Sequence, residues 1–249
     1  MSETTRVRPK RLHDHTVDEL GARIVRGDYA PESLLPIEEA LVSELGVSRT
    51  VVREAIKVLA QKNLIRVRTR IGTSVCPQVE WHHLDPDILR WRFASEFDPQ
   101  LVRDVIDLRR IIEPAAAEIA AQRASKPALN AITAAFNEMT HTADLATHIN
   151  ADLRFHLAIL DASGNELLRG LRHSIEGALR FAIQFTTPTK AQGRTSQAWH
   201  AQVHTAIIEK KPVEARAAMN LIVESWAVES LQIVAANVKQ RANLSRIRR

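Results

Sequence analysis

Two predicted helices separated by a three-residue break limit most strongly how this chain can fold. Residues 37–45 and 48–62 each carry apolar side chains at helical spacing. Between them, Gly46 suits the left-handed end of the first helix, and Ser48 suits the N-cap of the second. Two helices joined by such a short turn with glycine are typical of a helix-turn-helix motif.

A short β-hairpin is predicted directly after this motif. Residues 64–68 alternate apolar and basic side chains, residues 71–73 make a turn, and residues 74–75 resume an extended strand. Another amphipathic helix, over residues 14–27, precedes the motif. We therefore predict a winged helix-turn-helix domain of three helices and a small β-hairpin wing over residues 1–78.

From residue 81 onward, strand signals disappear and helical periodicity takes over. The predicted helices cover residues 87–94, 99–123, 127–142, 148–162, 165–185, 196–210 and 213–237. Helices with such short links are typical of an antiparallel bundle. The chain is therefore predicted to be mainly α: a linker with a short helix at 79–98, an all-helical bundle of six to seven helices at 99–237, and a basic tail at 238–249.

Composition excludes several classes of protein. Hydrophobic residues make up 45% of the 249-residue chain, which is too much for a disordered protein. No window approaches the ~18 uninterrupted apolar residues of a membrane span, and the basic N-terminus lacks the apolar stretch of a secretory signal. A single cysteine, Cys76, cannot make an intramolecular disulfide or a thiolate zinc site. We therefore expect a cytoplasmic protein that does not associate with membranes.

Basic side chains concentrate in and after the second helix of the motif. Residues 49–70 contain seven basic residues and one acidic residue, although the whole chain has a net charge of only +5. On a helical wheel, one arc of this helix is apolar. The opposite arc carries Arg49, Thr50, Arg53 and Lys57. The wing adds Arg66, Arg68 and Arg70.

Such a basic face suits double-stranded DNA. Arginines one turn apart at the start of an exposed helix fit the major groove, where they bind guanine or phosphates. Basic residues on a wing lie beside the duplex and reach phosphates or the minor groove. The alternative is an ordinary amphipathic helix with a solvated charged face.

Residues 35–75, LPIEEALVSELGVSRTVVREAIKVLAQKNLIRVRTRIGTSV, resemble the winged-helix domain of the GntR family of bacterial transcription regulators. This resemblance implies DNA contacts at Arg49, at Arg53 and on the wing around Gly72. The family has a third contact, an arginine after the glutamate of the motif LPxER, where this chain has Glu39. Glu39 departs from the family pattern, and an altered operator preference is expected.

The helical part resembles the FCD domain, the ligand-sensing bundle of the FadR subgroup, in residues 108–121, 151–165 and 200–207. The resemblance implies one divalent metal ion, such as Zn²⁺, Ni²⁺ or Mn²⁺, that binds a carboxylate effector together with an arginine. Its ligands would be Asp152, His156 and His200.

The fourth family ligand position is Ile222, and isoleucine cannot bind a metal. Three alternatives follow. Asp152, His156 and His200 hold a metal with an open coordination position, His204 replaces the missing ligand, or the three residues bind the effector without a metal. A purely structural Asp–His hydrogen bond in the core stays open as well.

Two further effector contacts are implied by the resemblance, each with a structural alternative. Arg109 is expected to clamp the effector carboxylate, but an exposed ion pair with Glu113 is also compatible with their spacing. Asn165 is expected near the pocket, although it also suits a helix N-cap. A second Asp-x3-His pair, Asp144 and His148, has the same spacing as the implied metal pair, so spacing alone does not identify the site.

Residues 81–91, WHHLDPDILRW, resemble the linkers of GntR regulators of sugar-acid catabolism. The expected function is that of a homodimeric repressor, released from a palindromic operator by a small carboxylate such as the aldonates galactonate or gluconate. The alternatives are another organic acid as effector, a sequence-neutral architectural DNA protein, and, more remotely, a metal-dependent hydrolase. No catalytic residue is predicted.

Overall fold

The computed structural model describes residues 9–95, 98–142, 144–186 and 190–247. The chain divides into two compact units, residues 1–97 and 98–249. The first unit is a winged helix-turn-helix domain and the second is a helical bundle, which confirms the predicted fold class.

The first unit contains helices α1 (Pro9–Arg26), α2 (Glu38–Leu45) and α3 (Arg49–Gln61), followed by strands β1 (Ile65–Arg68) and β2 (Gly72–Val75). The helix break has the predicted caps. Gly46 has a φ of 65°, in the left-handed region where a residue without Cβ is least strained. The Ser48 side chain accepts a hydrogen bond from the backbone N–H of Val51.

The wing is an antiparallel hairpin in which Ile65 pairs with Val75 and Arg68 pairs with Gly72. Ile65 and Val75 are buried, whereas the central residues of β1 are exposed. The alternation of apolar and basic residues therefore puts basic side chains on the outside of the wing.

The segment predicted as a linker is packed into the first unit. Helix α4 spans Pro86–Ala94, and its Trp91 joins Trp81 in the apolar core of this unit. The ring of Trp91 covers Gly21 of α1, where an added Cβ would lie 2.4 Å from Cη2 of the ring. The indole N–H of Trp81 donates to the carbonyl of Cys76, with an N···O distance of 3.0 Å. These contacts make residues 81–91 part of the compact first unit.

The second unit contains helices α5 (Pro99–Arg123), α6 (Lys126–His141), α7 (Leu145–Ala162), α8 (Glu166–Gly170), α9 (Arg172–Thr186), α10 (Lys190–Ile208) and α11 (Pro212–Ile247). Helix α11 packs along α5 and α10, and α6 packs along α7. The apolar faces of α5, α6, α7, α9, α10 and α11 meet in one core. This core surrounds the polar residues of α5, α7 and α10 described below.

Several helix boundaries differ from the sequence prediction, including those of α1, α7, α10 and α11. Helix α1 begins at Pro9 instead of residue 14, since a proline in the first turn lacks only an N–H that has no helical partner there. The helix predicted over 165–185 is interrupted at Leu171, between α8 and α9. Helix α11 continues to Ile247, through most of the segment predicted as a tail.

One part of α11, Pro212–Val238, is long enough for a membrane span and has a mean hydropathy of 1.2. Length and hydropathy of this kind are also typical of core helices. A third of this window is buried inside the protein, where α11 packs along α5. The feature is therefore weak support for membrane insertion.

Candidate functional site

The outer face of α3 is basic, and its inner face is apolar. Val52, Ala55, Ile56 and Leu59 are buried in the core of the first unit. Arg49, Thr50, Arg53 and Lys57 are exposed on the opposite side. The structure thus presents the four helix residues predicted to bind DNA to solvent on one face, as the helical wheel requires.

The two arginines of this face are paired with carboxylates of α2. One terminal nitrogen (Nη2) of Arg49 lies 3.0 Å from Oε1 of Glu39. Nε of Arg53 lies 2.8 Å from Oε2 of Glu38, and this hydrogen bond raises the pKa of the guanidinium. Both arginine side chains remain more than half exposed, at 58% and 59%. Ion pairs this exposed add little to stability, because solvent screens them. Sequence reasoning missed both pairs because it considered α3 without its neighbour.

The predicted wing residues lie on the hairpin and its turn. Arg66 and Arg68 are two positions apart on β1 and share one side of the strand. Arg66 forms an ion pair with Glu80. Arg70, in the exposed turn between the strands, and Gly72, the first residue of β2, both have positive φ angles, 65° and 121°. The turn therefore needs glycine or a tolerant residue at these positions.

The second unit brings Asp152, His156 and His200 together in its core. Helix α7 positions Asp152 and His156 one turn apart, and α10 supplies His200. Oδ1 of Asp152 lies 3.2 Å from Nε2 of each histidine, and the two Nε2 atoms are 3.4 Å apart. All three residues are buried. The three predicted ligands, which lie in distant parts of the sequence, therefore form one cluster.

Glu113 extends this cluster to Arg109. Oε2 of Glu113 lies 2.6 Å from Nδ1 of His156, and Oε1 lies 2.5 Å from Nε of Arg109. The guanidinium of Arg109 also lies 4.7 Å from the ring centroid of Trp226, a cation–π contact. Arg109 and Glu113 are only 3% and 6% exposed, so the alternative of an exposed ion pair is wrong.

Sequence reasoning did not assign Glu113 to the site, although one signal was available. Glu113 lies seven residues after Ile106, on the same face of α5, and Ile106 is buried. A charged residue on an apolar face requires a partner inside the protein. Arg109 and His156 are these partners.

The buried charges shift one another's pKa values strongly. Burial alone would raise the pKa of Glu113, but the charges of Arg109 and His156 outweigh it and lower this pKa to about 2. Asp152 is affected in the same way, since both histidines lower its pKa despite burial. Burial opposes protonation of His156, yet Glu113 and Asp152 raise its pKa to about 9. In the absence of a bound ion, the attraction between these opposite charges therefore offsets part of the cost of burying them.

The donor set fits a divalent metal ion. Two imidazole nitrogens and a carboxylate oxygen, all within 4.8 Å of one another, are ligands that Zn²⁺, Ni²⁺ and Mn²⁺ accept. Ligand histidines commonly have a carboxylate on their other nitrogen, and His156 has Glu113 there. Ile222 is buried in the apolar core and supplies no ligand.

His204 is engaged elsewhere and does not replace the missing ligand. Its Nε2 lies 2.9 Å from the hydroxyl of Thr133, and its ring stacks on Phe136 with centroids 4.7 Å apart. Burial lowers the pKa of His204. This residue therefore packs between α6 and α10, outside the Asp/His cluster.

The second Asp-x3-His pair has a structural role. Asp144 is the N-cap of α7 and accepts a hydrogen bond from the N–H of Thr147 at 2.8 Å. Nδ1 of His148 lies 3.1 Å from the carbonyl of Met139. Asn165 likewise caps α8, because its side-chain oxygen accepts from the N–H groups of Leu167 and Leu168. In this structure, Asn165 therefore has the contacts of a helix N-cap.

A narrow cavity of about 10 Å³, roughly enough for one water molecule, adjoins the cluster. Glu113 and His156 are the polar residues at its described wall. The remaining wall is apolar and consists of Ile112, Ala116, Ile159, Leu160, Ile175, Leu179 and Met219. In polarity the wall matches a molecule with one polar end and one apolar side, and the cavity must widen to admit such a molecule.

Comparisons with known proteins match both units. Residues 12–75 match the family described as bacterial regulatory proteins, gntR family, and residues 104–225 match the FCD domain. The galactonate operon transcriptional repressor of Escherichia coli (strain K12) is 36% identical over 174 residues, which cover 70% of this chain and 76% of that protein.

Two further relatives cover more of the chain. The Exu regulon transcriptional regulator of Escherichia coli (strain K12) is 28% identical over 215 residues, which cover 85% of this chain and 81% of that protein. Among solved structures, that of Lar, which controls expression of the Listeria monocytogenes agr system, has a TM-score of 0.60 at 19% identity. The match covers 88% of this chain and 96% of the Lar chain. At this identity, the likeness concerns the fold alone.

Proposed function

The chain belongs to the GntR family of bacterial transcription regulators, in the FadR subgroup with an FCD domain, and on this basis we propose that it represses an operon of sugar-acid catabolism. Its domains and relatives are transcription regulators, so the prediction that it is not an enzyme is confirmed and the hydrolase alternative has no support. The proposed location is the cytoplasm.

The buried charged cluster is the observation that carries the effector part of this proposal. Arg109, Glu113, Asp152, His156 and His200 lie in a helical core beside a cavity. Buried charges are costly, and an apolar core of the same shape is often more stable. A ligand-binding role gives a reason for keeping these residues in the core.

Charge balance supports an effector with one carboxylate. Arg109 is already neutralised by Glu113, so an incoming carboxylate reaches the guanidinium only if it shares or replaces this partner. When bound by Asp152, His156 and His200, a divalent metal would supply the extra positive charge and accept carboxylate or hydroxyl oxygens. Glu113 would accept a hydrogen bond from a hydroxyl group of the ligand. An aldonate such as galactonate or gluconate has both a carboxylate and hydroxyl groups.

The apolar wall of the cavity favours a second candidate class. Seven of its nine described lining residues are apolar, and they offer no partner for a ligand with many hydroxyl groups. A hydroxy acid with fewer hydroxyls, or another organic acid, fits this wall better. The carboxylate end of such a ligand would still face His156 and Glu113.

For the DNA side, the basic face of α3 supports insertion into the major groove, with Arg49, Thr50, Arg53 and Lys57 towards the bases and phosphates. Arg66, Arg68, Arg70 and Gly72 would contact the DNA backbone from the wing. Residues 1–78 would thus bind DNA, and residues 99–237 would bind the effector and dimerise. Release of DNA by a factor of a hundred requires the effector to bind the released state more tightly by ~2.7 kcal/mol.

An exposed apolar stripe on α11 supports a homodimer. Leu221, Val228, Leu231 and Val238 follow one another at intervals of seven and three residues and are 40–55% exposed. Residues at this spacing share one side of a helix. A second copy would bury this stripe, and two DNA-binding units related by two-fold symmetry would recognise a palindromic operator.

The test combines ligand screening with DNA binding. Thermal unfolding of the full chain is measured with a panel of aldonates, hydroxy acids and dicarboxylates, with added Zn²⁺, Ni²⁺ or Mn²⁺ and with a chelator. A ligand at a hundred times its dissociation constant raises the free energy of unfolding by ~2.7 kcal/mol. Duplexes selected from a random-sequence library serve as operator probes, and the stabilising acid should release them.

The matched control variants are His200→Ala and His204→Ala. His200→Ala should lose the stabilisation by metal ions, whereas His204→Ala should keep it, since only His200 belongs to the cluster. Selection of no preferred duplex would contradict sequence-specific regulation. Selection of a duplex that none of the acids releases would contradict the effector class alone.

A further inference from the structure

The first turn of α2 presents a carboxylate to the DNA-binding face of α3. Glu39 is 56% exposed, and its Oε1 lies 3.0 Å from Nη2 of Arg49, the first residue of α3. Because one terminal nitrogen makes the contact, Nη1 and Nε keep N–H groups that are available to a further partner. Arg49 is thus held at the surface without being fully occupied.

Local electrostatics favour this arrangement. Glu39 lies in the first turn of α2, where the positive end of the helix dipole stabilises an acidic residue. Arg49 lies at the start of α3, where the same dipole effect disfavours a cation. The ion pair offsets the unfavourable position of Arg49, and it orients a long side chain that would otherwise sample many rotamers.

Against DNA, the same carboxylate acts differently on two kinds of contact. A phosphate attracts an arginine through charge alone, and this attraction is independent of sequence. A carboxylate beside the guanidinium cancels much of this attraction and repels the phosphate itself. A base edge, in contrast, is recognised by directional hydrogen bonds from the N–H groups that Glu39 leaves free.

We infer that Glu39 is a specificity-determining residue, which positions Arg49 for contacts with base edges and disfavours its contacts with phosphates at non-operator sequences. The inference rests on the proposed function, in which α3 reads the operator. It assigns to Glu39 a repulsive contribution to specificity, in addition to the attraction that the basic residues provide.

The test compares Glu39→Gln with Glu44→Gln. Both variants remove one exposed carboxylate of α2, but Glu44 is paired with Arg23, away from the face of α3. Their affinities for the selected duplex and for a shuffled duplex of the same base composition are measured at several salt concentrations. Circular dichroism verifies that both variants are folded.

Glu39→Gln should bind the shuffled duplex more tightly, because Arg49 is then free to contact a phosphate. One additional phosphate contact steepens the slope of log K against log salt by about 0.9. Between 1 M and 0.1 M salt, the affinity of the variant should therefore rise about eightfold more than that of the wild type. Affinity for the selected duplex should change less, so that the ratio of the two affinities falls. Glu44→Gln should keep the wild-type slope and ratio.

Equal effects of the two variants would overturn the inference, since net charge alone would then explain them. An unchanged ratio in Glu39→Gln would also overturn it. In the background of Arg49→Ala, Glu39→Gln should have a smaller effect on the slope, because only the direct repulsion of phosphate remains, and a full effect there would exclude action through Arg49. Each of these outcomes can be observed only if the protein selects a preferred duplex. If the proposed function is wrong, no duplex is selected, so the two kinds of failure are distinguishable.

Discussion

Arginine–glutamate pairs occur in both units, in opposite surroundings. In the first unit, Arg49–Glu39 is more than half exposed on both sides of the pair. In the second unit, Arg109–Glu113 is almost fully buried and is extended by His156. Water can replace either partner of the exposed pair at small cost, so DNA can replace it too. The buried pair has no such replacement, and it changes partners only when a ligand or an ion enters the core.

Removal of one carboxylate should lower the free energy of unfolding much more in the buried pair than in the exposed pair. Glu113→Gln leaves Arg109 and His156 without their counter-charge in the core and should lower the free energy of unfolding by about 3–5 kcal/mol. Glu39→Gln serves as the matched control and should lower it by less than about 1 kcal/mol. Denaturant unfolding followed by circular dichroism measures both. Equal losses would show that burial does not distinguish the two pairs.

The next effect is a dependence of stability on pH in the protein treated with a chelator. The pKa of Glu113 is lowered from 4.5 to about 2, so its contribution is present above pH 4.5 and disappears as the pH falls towards 2. The pKa of His156 is raised from 6.5 to about 9, so its contribution is present below pH 6.5 and disappears as the pH rises through 9.

Stability should therefore decrease on both sides of a plateau between about pH 4.5 and 6.5, by up to a few kcal/mol. Denaturant unfolding at a series of pH values measures this profile. In Glu113→Gln the decrease on the alkaline side should shrink, because His156 then lacks one of its two carboxylate partners. An unchanged alkaline decrease in that variant would argue against the coupling of these two residues.

A smaller loss is expected where the first unit is packed tightly. Gly21→Ala places a Cβ in the volume of the Trp91 ring, and overpacking of this kind costs about 1–3 kcal/mol. Gly170→Ala is the control, because nothing lies within 4 Å of the added atom. Thermal unfolding with tryptophan fluorescence as the probe compares them. A loss in Gly170→Ala alone would contradict the packing of α4 on α1.

The smallest effect on stability is expected for the exposed arginines, although their effect on DNA binding should be large. Arg49→Ala and Arg53→Ala should leave the free energy of unfolding nearly unchanged, because both side chains are exposed. They should abolish preference for the selected duplex, because each removes an arginine from the face of α3. Arg169→Ala, which breaks an exposed pair with Glu166 on α8, should leave DNA binding unchanged. Retained preference in both α3 variants would refute the assigned binding face.

The first unit was predictable from local patterns to a large extent. Gly46, Ser48 and the apolar arc of α3 each act within a few residues, and the helix break follows from them. The packing of residues 81–91 was not predictable in the same way. It depends on Gly21 leaving room for Trp91, a contact between residues seventy positions apart.

The buried cluster shows the same limit more sharply. Asp144–His148 and Asp152–His156 have identical spacing in neighbouring stretches of sequence, and spacing alone does not distinguish them. Only the second pair meets His200, which reaches it from α10. In the first pair, Asp144 caps α7 and His148 lies against the carbonyl of Met139, so both have partners outside the cluster.

The amino-acid sequence by itself determined the class of fold, the amphipathic helices and the basic face of α3, because periodicity, capping and charge act over one or two helical turns. The tertiary structure alone decided which charges are buried, that Glu113 joins Arg109 to His156, and that Glu39 pairs with Arg49. These contacts unite residues from different helices, and their strength depends on desolvation, which no single segment of sequence controls.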